Sequence, residues 1–483
     1  MLGKQEVNTS LFQCVTMEDL VPDNHLLRKL RNCLDLSFVT ETVMNCYGKV
    51  GRPSFDPQVV VRMWILQHLY GYSERQICDE VTMHAGFRWF CGLSFNDPVP
   101  DQSTLVKLRN SKWAETDLWQ RVLNETVRAC ETAGVSRPDR MGVDGTQITA
   151  NAATVSLEEI PANLTFSAEE PPSNPNSDPD FESSSELRVY PAEPLSEAAA
   201  APPTDDLSGS PEPRTLQMEA GGRTQNKRRS GDPDWHGERF SNATHRSTTD
   251  PEARLYRKGR NQEAKLRYLG HYMADLSSGV IYGAIATQAS GTAEREAACA
   301  LLDGLSIMPR ELVADLGYRD GEFLADVIDR GVQPLVPIGG QPLESEVHWR
   351  RRTYNLATHS RRKQQAREIL ARNQTRRASA GRHGAVAQHQ RTRLEHLYAE
   401  AKEHHGLGRA HGRGLVRLDQ QIKLTASVQN LKRLLTARRR GNSAQSRSTA
   451  GGTQKRYGSH ILVHRGSLRP SWGRIRQVRR YRQ

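Results

Sequence analysis

Arg391, Glu395 and Lys402 share the stretch RTRLEHLYAEAKEH (391–404), which contains neither Gly nor Pro and is rich in Leu, Ala, Glu and Lys/Arg. That composition predicts a helix. At about 100° per residue the three side chains fall within roughly 40° of one another. One carboxylate flanked by two cations on a single face can offer a metal ligand together with two phosphate contacts. The same face also reads as a solvated one carrying an i,i+4 ion pair. Two further carboxylates change the weight of the pattern. Asp144 lies in MGVDGTQITANA, whose alternation is that of a strand, and Asp315 closes the short apolar run ELVAD. Either one alone is an ordinary turn or edge residue. Carboxylates at the C-terminal ends of strands, however, gather at the ligand-binding edge of an α/β sheet. Three of them converging there can hold two Mg²⁺ (or Mn²⁺) ions roughly 3.5 to 4 Å apart, a site that activates a water or a 3′-hydroxyl against phosphorus. Oxygen-only ligands suit those hard cations better than zinc.

These residues need elements to position them. Residues 16–135 carry apolar residues at helical spacing. Ser73–Gln76 has the form of a capping box, and Asp101 or Ser103 can cap a basic helix presenting Lys107, Arg109 and Lys112. Short helices with one basic member suit a helix-turn-helix DNA-binding module or a plain helical bundle. After the Asp144 strand, residues 156–222 hold 11 prolines between Pro161 and Pro213 and few large apolar residues. Such a segment cannot bury enough surface to offset its chain entropy and is expected to be a disordered insert. From 263 onward the order reads strand, hairpin signal at Ser277–Gly279, strand, helix with Thr292 as its cap, strand ending on Asp315, helix, strand. This predicts a mixed α/β domain. A basic helical connection, the Glu395 helix and a long amphipathic helix follow. Residues 436–483 are Arg-, Ser- and Gly-rich and are expected to be mostly disordered.

The formal charge of +12 understates how basic the folded part is. Residues 156–220 hold 14 Asp/Glu against Arg188 and Arg214, a net of −12 that leaves +24 on the rest. Such an excess favours a polyanionic partner, most simply nucleic acid. No apolar run approaches the roughly 18 to 20 residues of a spanning helix, and the N-terminus lacks the apolar core of a secretory signal. Seven cysteines without a C-x-x-C pair suggest reduced thiols in a cytoplasmic protein, not a disulfide frame or a zinc cluster. The adjacent His404 and His405 point apart on a helix and read as solvated polar residues.

Several segments together resemble the DDE transposases of bacterial insertion sequences, in the superfamily of insertion sequences four and five, near its 1182 group. DLVPDNHLLRKL and GRPSFDPQVVVRMWILQHLYGYSERQICDEV, with FRWFCGL and PVPDQSTLVKLRN, are similar to the family's N-terminal domain. VDGTQITANA resembles its first-aspartate strand and ADLGYRDGEF its second. Around the third acid the family carries Tyr-x2-Arg-x3-Glu-x6-Lys. Arg391, Glu395 and Lys402 match that spacing, and Gln388 stands where the Tyr would be. The resemblance implies a helical DNA-binding domain over 1–135 and an RNase H-like catalytic domain over 136–155 and 223–435. It implies Asp144, Asp315 and Glu395 as catalytic metal ligands for two Mg²⁺ or Mn²⁺ ions. Arg391 and Lys402 become phosphate contacts, with Lys107 and Arg109 contacting DNA from the N-terminal domain and Trp349 a candidate for stacking on a flipped base. The partners implied are double-stranded transposon ends and target DNA, bound by a homodimer or higher oligomer on the nucleoid. An RNase H-like nuclease that cuts without joining, a non-catalytic DNA-binding regulator and a decayed transposase remain the alternatives.

Overall fold

The computed structural model describes residues 15–160 except 49 and 52, then 186–187, 240–257, 264–338 and 359–450, with side chains in the last stretch described over 363–437. Apart from 156–160 and 186–187, the proline-rich insert lies outside the described residues, as do Trp349 and residues 451–483. By backbone contacts the chain divides into one unit of residues 1–437 and a second of 438–483.

Three short helices, Met17–Leu20, Leu26–Arg31 and Phe38–Val43, precede α1 (Pro57–Tyr70), α2 (Glu74–Met83), α3 (Ala85–Cys91), α4 (Gln102–Lys107) and α5 (Leu118–Thr132). Local chemistry sets their ends. Asp56 caps α1 ahead of Pro57, and Gly71 terminates it with a positive φ of 68°. The Ser73–Gln76 capping box opens α2 as the sequence predicts. Asp101, not Ser103, caps α4 by accepting from the Thr104 amide at 2.6 Å. The chain then passes into a single π-helical turn, Leu108–Lys112. Most of α1 is buried, and its Trp64 meets Trp113 and Trp119 edge-on at 5.6 and 5.1 Å.

The sheet comprises β1 (Arg140–Thr149), β2 (Arg254–Tyr256), β3 (Lys265–Asp275), β4 (Ile281–Gln288), β5 (Glu311–Val313) and β6 (Gln333–Leu335). Its order runs β6-β5-β1-β3, and β3 also pairs with β4 and β2. The β1–β3 and β3–β4 pairs are antiparallel, whereas β1–β5 and β5–β6 are parallel. The β3–β4 turn forms around Gly279 at φ 77°, with the Asp275 carboxylate accepting from Ser277 and Ser278. The parallel strands need crossovers, which α6 (Ala293–Asp303) and α7 (Gly321–Asp329) supply. The element order is the one expected. One local assignment changes: no side-chain hydrogen bond comes from Thr292, and Ser290 Oγ accepts from the Ala293 amide at 3.1 Å instead.

Three helices follow: α8 (His359–Ser379), α9 (Gly381–His404) and α10 (Leu415–Ala450). The helix of Glu395 therefore begins ten residues before Arg391, and α10 continues past position 436, where composition predicts a loss of order. Leu424, Val428, Leu431 and Leu435 of α10 pack in the core of the N-terminal helices, while Leu418, Ile422 and Ala426 pack with the sheet. Between them Asn430, fully buried, exchanges hydrogen bonds with both backbone groups of Ile281 at 2.8 Å and reaches Thr126 Oγ1 at 3.2 Å. A single helix thus seals both cores, and its buried amide fixes how far it can slide.

Candidate active site

Asp144 sits mid-way along β1 with its side chain 18% exposed, and Oδ1 accepts from the Gly145 amide at 2.8 Å. Asp315 follows the end of β5 and caps a one-turn 3₁₀ helix, Leu316–Tyr318, by accepting from the Gly317 amide at 2.8 Å. Glu395 lies on α9, 58% exposed. The fold brings Asp315 and Glu395 each within electrostatic reach of Asp144. Burial pushes the Asp144 carboxyl up to about 6; the Gly145 amide bond and Arg391 oppose that rise, and the charges of Asp315 and Glu395 add to it. The Arg391 guanidinium stands between two of the carboxylates, 3.2 Å from Asp144 Oδ2 and 3.4 Å from Glu395 Oε1. The i,i+4 pair legible in sequence is therefore half of a bridge to the sheet. Among the described residues no three His, Cys, Asp or Glu side chains stand close enough to hold one ion as oriented here. Arg391 already neutralises charge on Asp144 and Glu395, and three carboxylates without a cation repel one another. The donor set, two aspartates and a glutamate, is nevertheless all-oxygen, the kind that hard divalent ions take.

Two features explain how α9 reaches this edge. Gln388 Nε2 donates to the carbonyls of Ala314 and Leu335 at 3.1 and 2.8 Å, pinning the helix to the ends of β5 and β6 beside Asp315. The helix also lies close on β1: a methyl on Gly142 would come within 2.9 Å of Leu394 Cδ1. The Tyr-to-Gln departure from the family signature therefore falls on a residue with a defined backbone role.

Glu294, in the first turn of α6, also faces the cluster. Its Oε1 lies 3.0 Å from where a Cβ on Gly145 would be, and Oε2 lies 3.8 Å from the equivalent point on Gly317. Burial, then the charges of Asp315 and Asp144, raise its pKa. The buried Tyr318 hydroxyl, without a hydrogen-bond partner among the described residues, interacts with the charges of Glu294, Asp144 and Asp315. In sequence, Glu294 is indistinguishable from the acidic residues that helix N-termini favour in general, and only tertiary packing singles it out.

The other sequence-derived residues are placed as follows. Lys402 is exposed, two turns beyond Glu395 on α9. Lys107 is exposed at the last position of α4. Arg109 lies in the π-helical turn with its side chain only 12% exposed and ion-paired to Glu74. Glu400, a neighbouring acid on α9, is held by Lys432 and by Arg433 at 2.7 Å. His404 is exposed, but the expectation of a solvated His405 is corrected: it is buried and its Nδ1 lies 2.7 Å from the His68 carbonyl. The end of α9 docks on α1 there, which periodicity within α9 could not reveal. Cys46, Cys78, Cys91 and Cys299 are free thiols. No helix among the described residues is long and apolar enough to cross a membrane.

A mixed sheet with carboxylates on neighbouring strands, completed by a glutamate from a later helix, defines a candidate phosphoryl-transfer site on an α/β scaffold. Comparison with known families carries this further. A family described as a transposase domain (DUF772) matches residues 15–111, and one described as a transposase DDE domain matches residues 243–431. Between them they span more than half of the chain, and the chain belongs to the DDE transposases of the insertion-sequence type. No curated protein and no solved structure matches it significantly.

Proposed function

We propose that this transposase binds the ends of its insertion sequence, cleaves DNA there and joins the 3′-hydroxyl ends to target DNA. The observation that carries the reading is Arg391 bridging Asp144 on β1 to Glu395 on α9, with the charge of Asp315 also acting on Asp144. The strand order β4-β3-β1-β5-β6, antiparallel on one side of β1 and parallel on the other, supports an RNase H-like catalytic domain over 136–155 and 223–435, with DNA-end binding by 1–135. Asp144, Asp315 and Glu395 would hold two Mg²⁺ or Mn²⁺ ions, which supply Lewis acidity to the attacking and leaving oxygens. The remaining work falls to the chain's own side chains. Asp144 must lose its proton to serve as a ligand. Arg391 must exchange a carboxylate for a phosphate as DNA arrives. Lys402, on the same face of α9, is a second phosphate contact, and exposed Lys107 is assigned to DNA from the N-terminal helices; Arg109 would join it only on leaving Glu74.

Full-length protein incubated with donor and target plasmids tests this. Joined donor–target products in Mg²⁺ are expected, and cleavage without joining would instead indicate a nuclease. Glu395→Gln keeps size and helix propensity but removes an ionised ligand. Cleavage and joining should fall by orders of magnitude, while binding to the element's ends without metal stays unchanged or tightens, because the lost charge is negative. Lys402→Ala should lower affinity and make the salt dependence shallower by about one unit.

A further inference from the structure

Tyr398 lies one turn beyond Glu395 on α9 and is almost fully buried. Its hydroxyl donates to the Asp144 carbonyl at 2.6 Å, with the Gly270 carbonyl a more distant acceptor at 3.4 Å, and accepts from the Tyr272 amide at 2.8 Å. Asp144 and Tyr272 face each other across the antiparallel β1–β3 pair. In such ladders every second facing pair exchanges backbone bonds directly, and here a phenol from a helix bridges the two at the residue that bears the candidate ligand. The ring is fixed as well, stacked on Tyr272 with centroids 4.7 Å apart and planes 10° from parallel. A hydroxyl offers one donor and a pair of acceptor sites, so this donation and this acceptance define its orientation.

The consequence concerns distance. Glu395 is mostly exposed, so its position relative to Asp144 is set by where α9 lies. Apolar contacts from Leu394, Leu397 and Ala401 hold the helix to the sheet but tolerate sliding. Directional bonds do not. Gln388 fixes the helix to β5 and β6 on one side of Glu395, and Tyr398 fixes it to β1 on the other. We propose that Tyr398 is a positioning residue for the carboxylate site, its hydroxyl setting the register of α9 against β1 and hence the separation of Glu395 from Asp144. This rests on the reading of Asp144 and Glu395 as metal ligands.

Tyr398→Phe in the full-length chain keeps the stacked ring and removes only the bridge. Mn²⁺ binding to the DNA-free protein, measured by calorimetry, should weaken about tenfold or more, the range for partners that orient a ligand. Amide exchange should quicken in peptides covering 141–147 and 268–275 and stay unchanged in α1 and α5. Cleavage should be lost at low Mn²⁺ and recovered at high Mn²⁺, while end binding without metal stays at the wild-type level. Leu397→Val is the control for general loosening: it should lower the melting temperature without changing Mn²⁺ affinity. Wild-type Mn²⁺ affinity in Tyr398→Phe, an equal loss in Leu397→Val, or a Tyr398→Phe chain without a cooperative melt would each overturn the positioning role. Asp144→Asn separates the two levels of inference. If it binds Mn²⁺ as wild type does, the metal-ligand reading fails; if it loses binding while Tyr398→Phe retains it, only the role of Tyr398 fails.

Discussion

Asp144 shows how one residue couples stability to chemistry. Its carboxyl titrates near 6 in the fold because burial disfavours the charged form more than Arg391 and the Gly145 amide favour it. A folded value above the ordinary 3.8 means that the native state binds the proton more tightly than the unfolded chain does. The contribution of Asp144 to the stability of the metal-free protein should therefore be lost as the pH rises from about 4 through 6. Asp144→Asn, a mimic of the protonated acid, should match wild type near pH 4 and exceed it by about 2 to 3 kcal/mol at pH 8. Melting temperatures of the two metal-free proteins across that range check this; a wild type at least as stable as the variant at pH 8 would refute it. The same proton must leave before a cation binds, so Mn²⁺ affinity should rise steeply between pH 5 and 7.

At the scale of elements, α9 carries the site because its ends are tied down. Gln388 occupies the position where relatives in the signature have Tyr, and its amide bonds two carbonyls that end neighbouring parallel strands. Gln388→Leu keeps length and helix propensity but leaves the Ala314 and Leu335 carbonyls to find other donors. The cost should be about 1 to 3 kcal/mol in chemical denaturation. Catalysis should fall further than stability alone explains, since Asp315 stands next to one of those carbonyls. Activity retained in full by a folded Gln388→Leu protein would mean that packing alone positions the helix. At the far end of α9, Glu400 is gathered in by Lys432 and Arg433 of α10, which ties α9 to the helix that seals both cores.

For the whole molecule, the long acidic insert has a defined base. Strand Leu157–Glu159 pairs antiparallel with His245–Ser247, and the Ile160 amide donates to the Thr244 carbonyl at 2.8 Å. The chain on either side of residues 161–239 is therefore already joined. Replacing residues 165–235 with a short Gly/Ser linker should leave the melting temperature within a few degrees of wild type, because loop-closure entropy changes slowly with length. A large drop would show that the insert packs against the fold. If the 12 excess negative charges of 156–220 compete with DNA for the basic surface, the same deletion should tighten non-specific DNA binding at low salt, an effect that fades as salt rises.

Much of this was legible in the sequence. Local signals sufficed for the capping box at Ser73, the hairpin at Gly279, the strand of Asp144 and the single face shared by Arg391, Glu395 and Lys402. Each depends on near neighbours in the chain and on the fixed periods of helix and strand. What no period encodes is which face meets which. Arg391 proved to bridge helix to sheet, Arg109 to pair with Glu74, and His405 to be buried against α1. Glu294, an ordinary first-turn acid in sequence, faces the carboxylates only because α6 crosses between β4 and β5. Tyr398, one more apolar position on a helix, reaches the backbone of Asp144 only because α9 lies so close on β1. These contacts join residues far apart in the chain, and their partners are chosen by the packing of whole elements, which the tertiary structure alone decides.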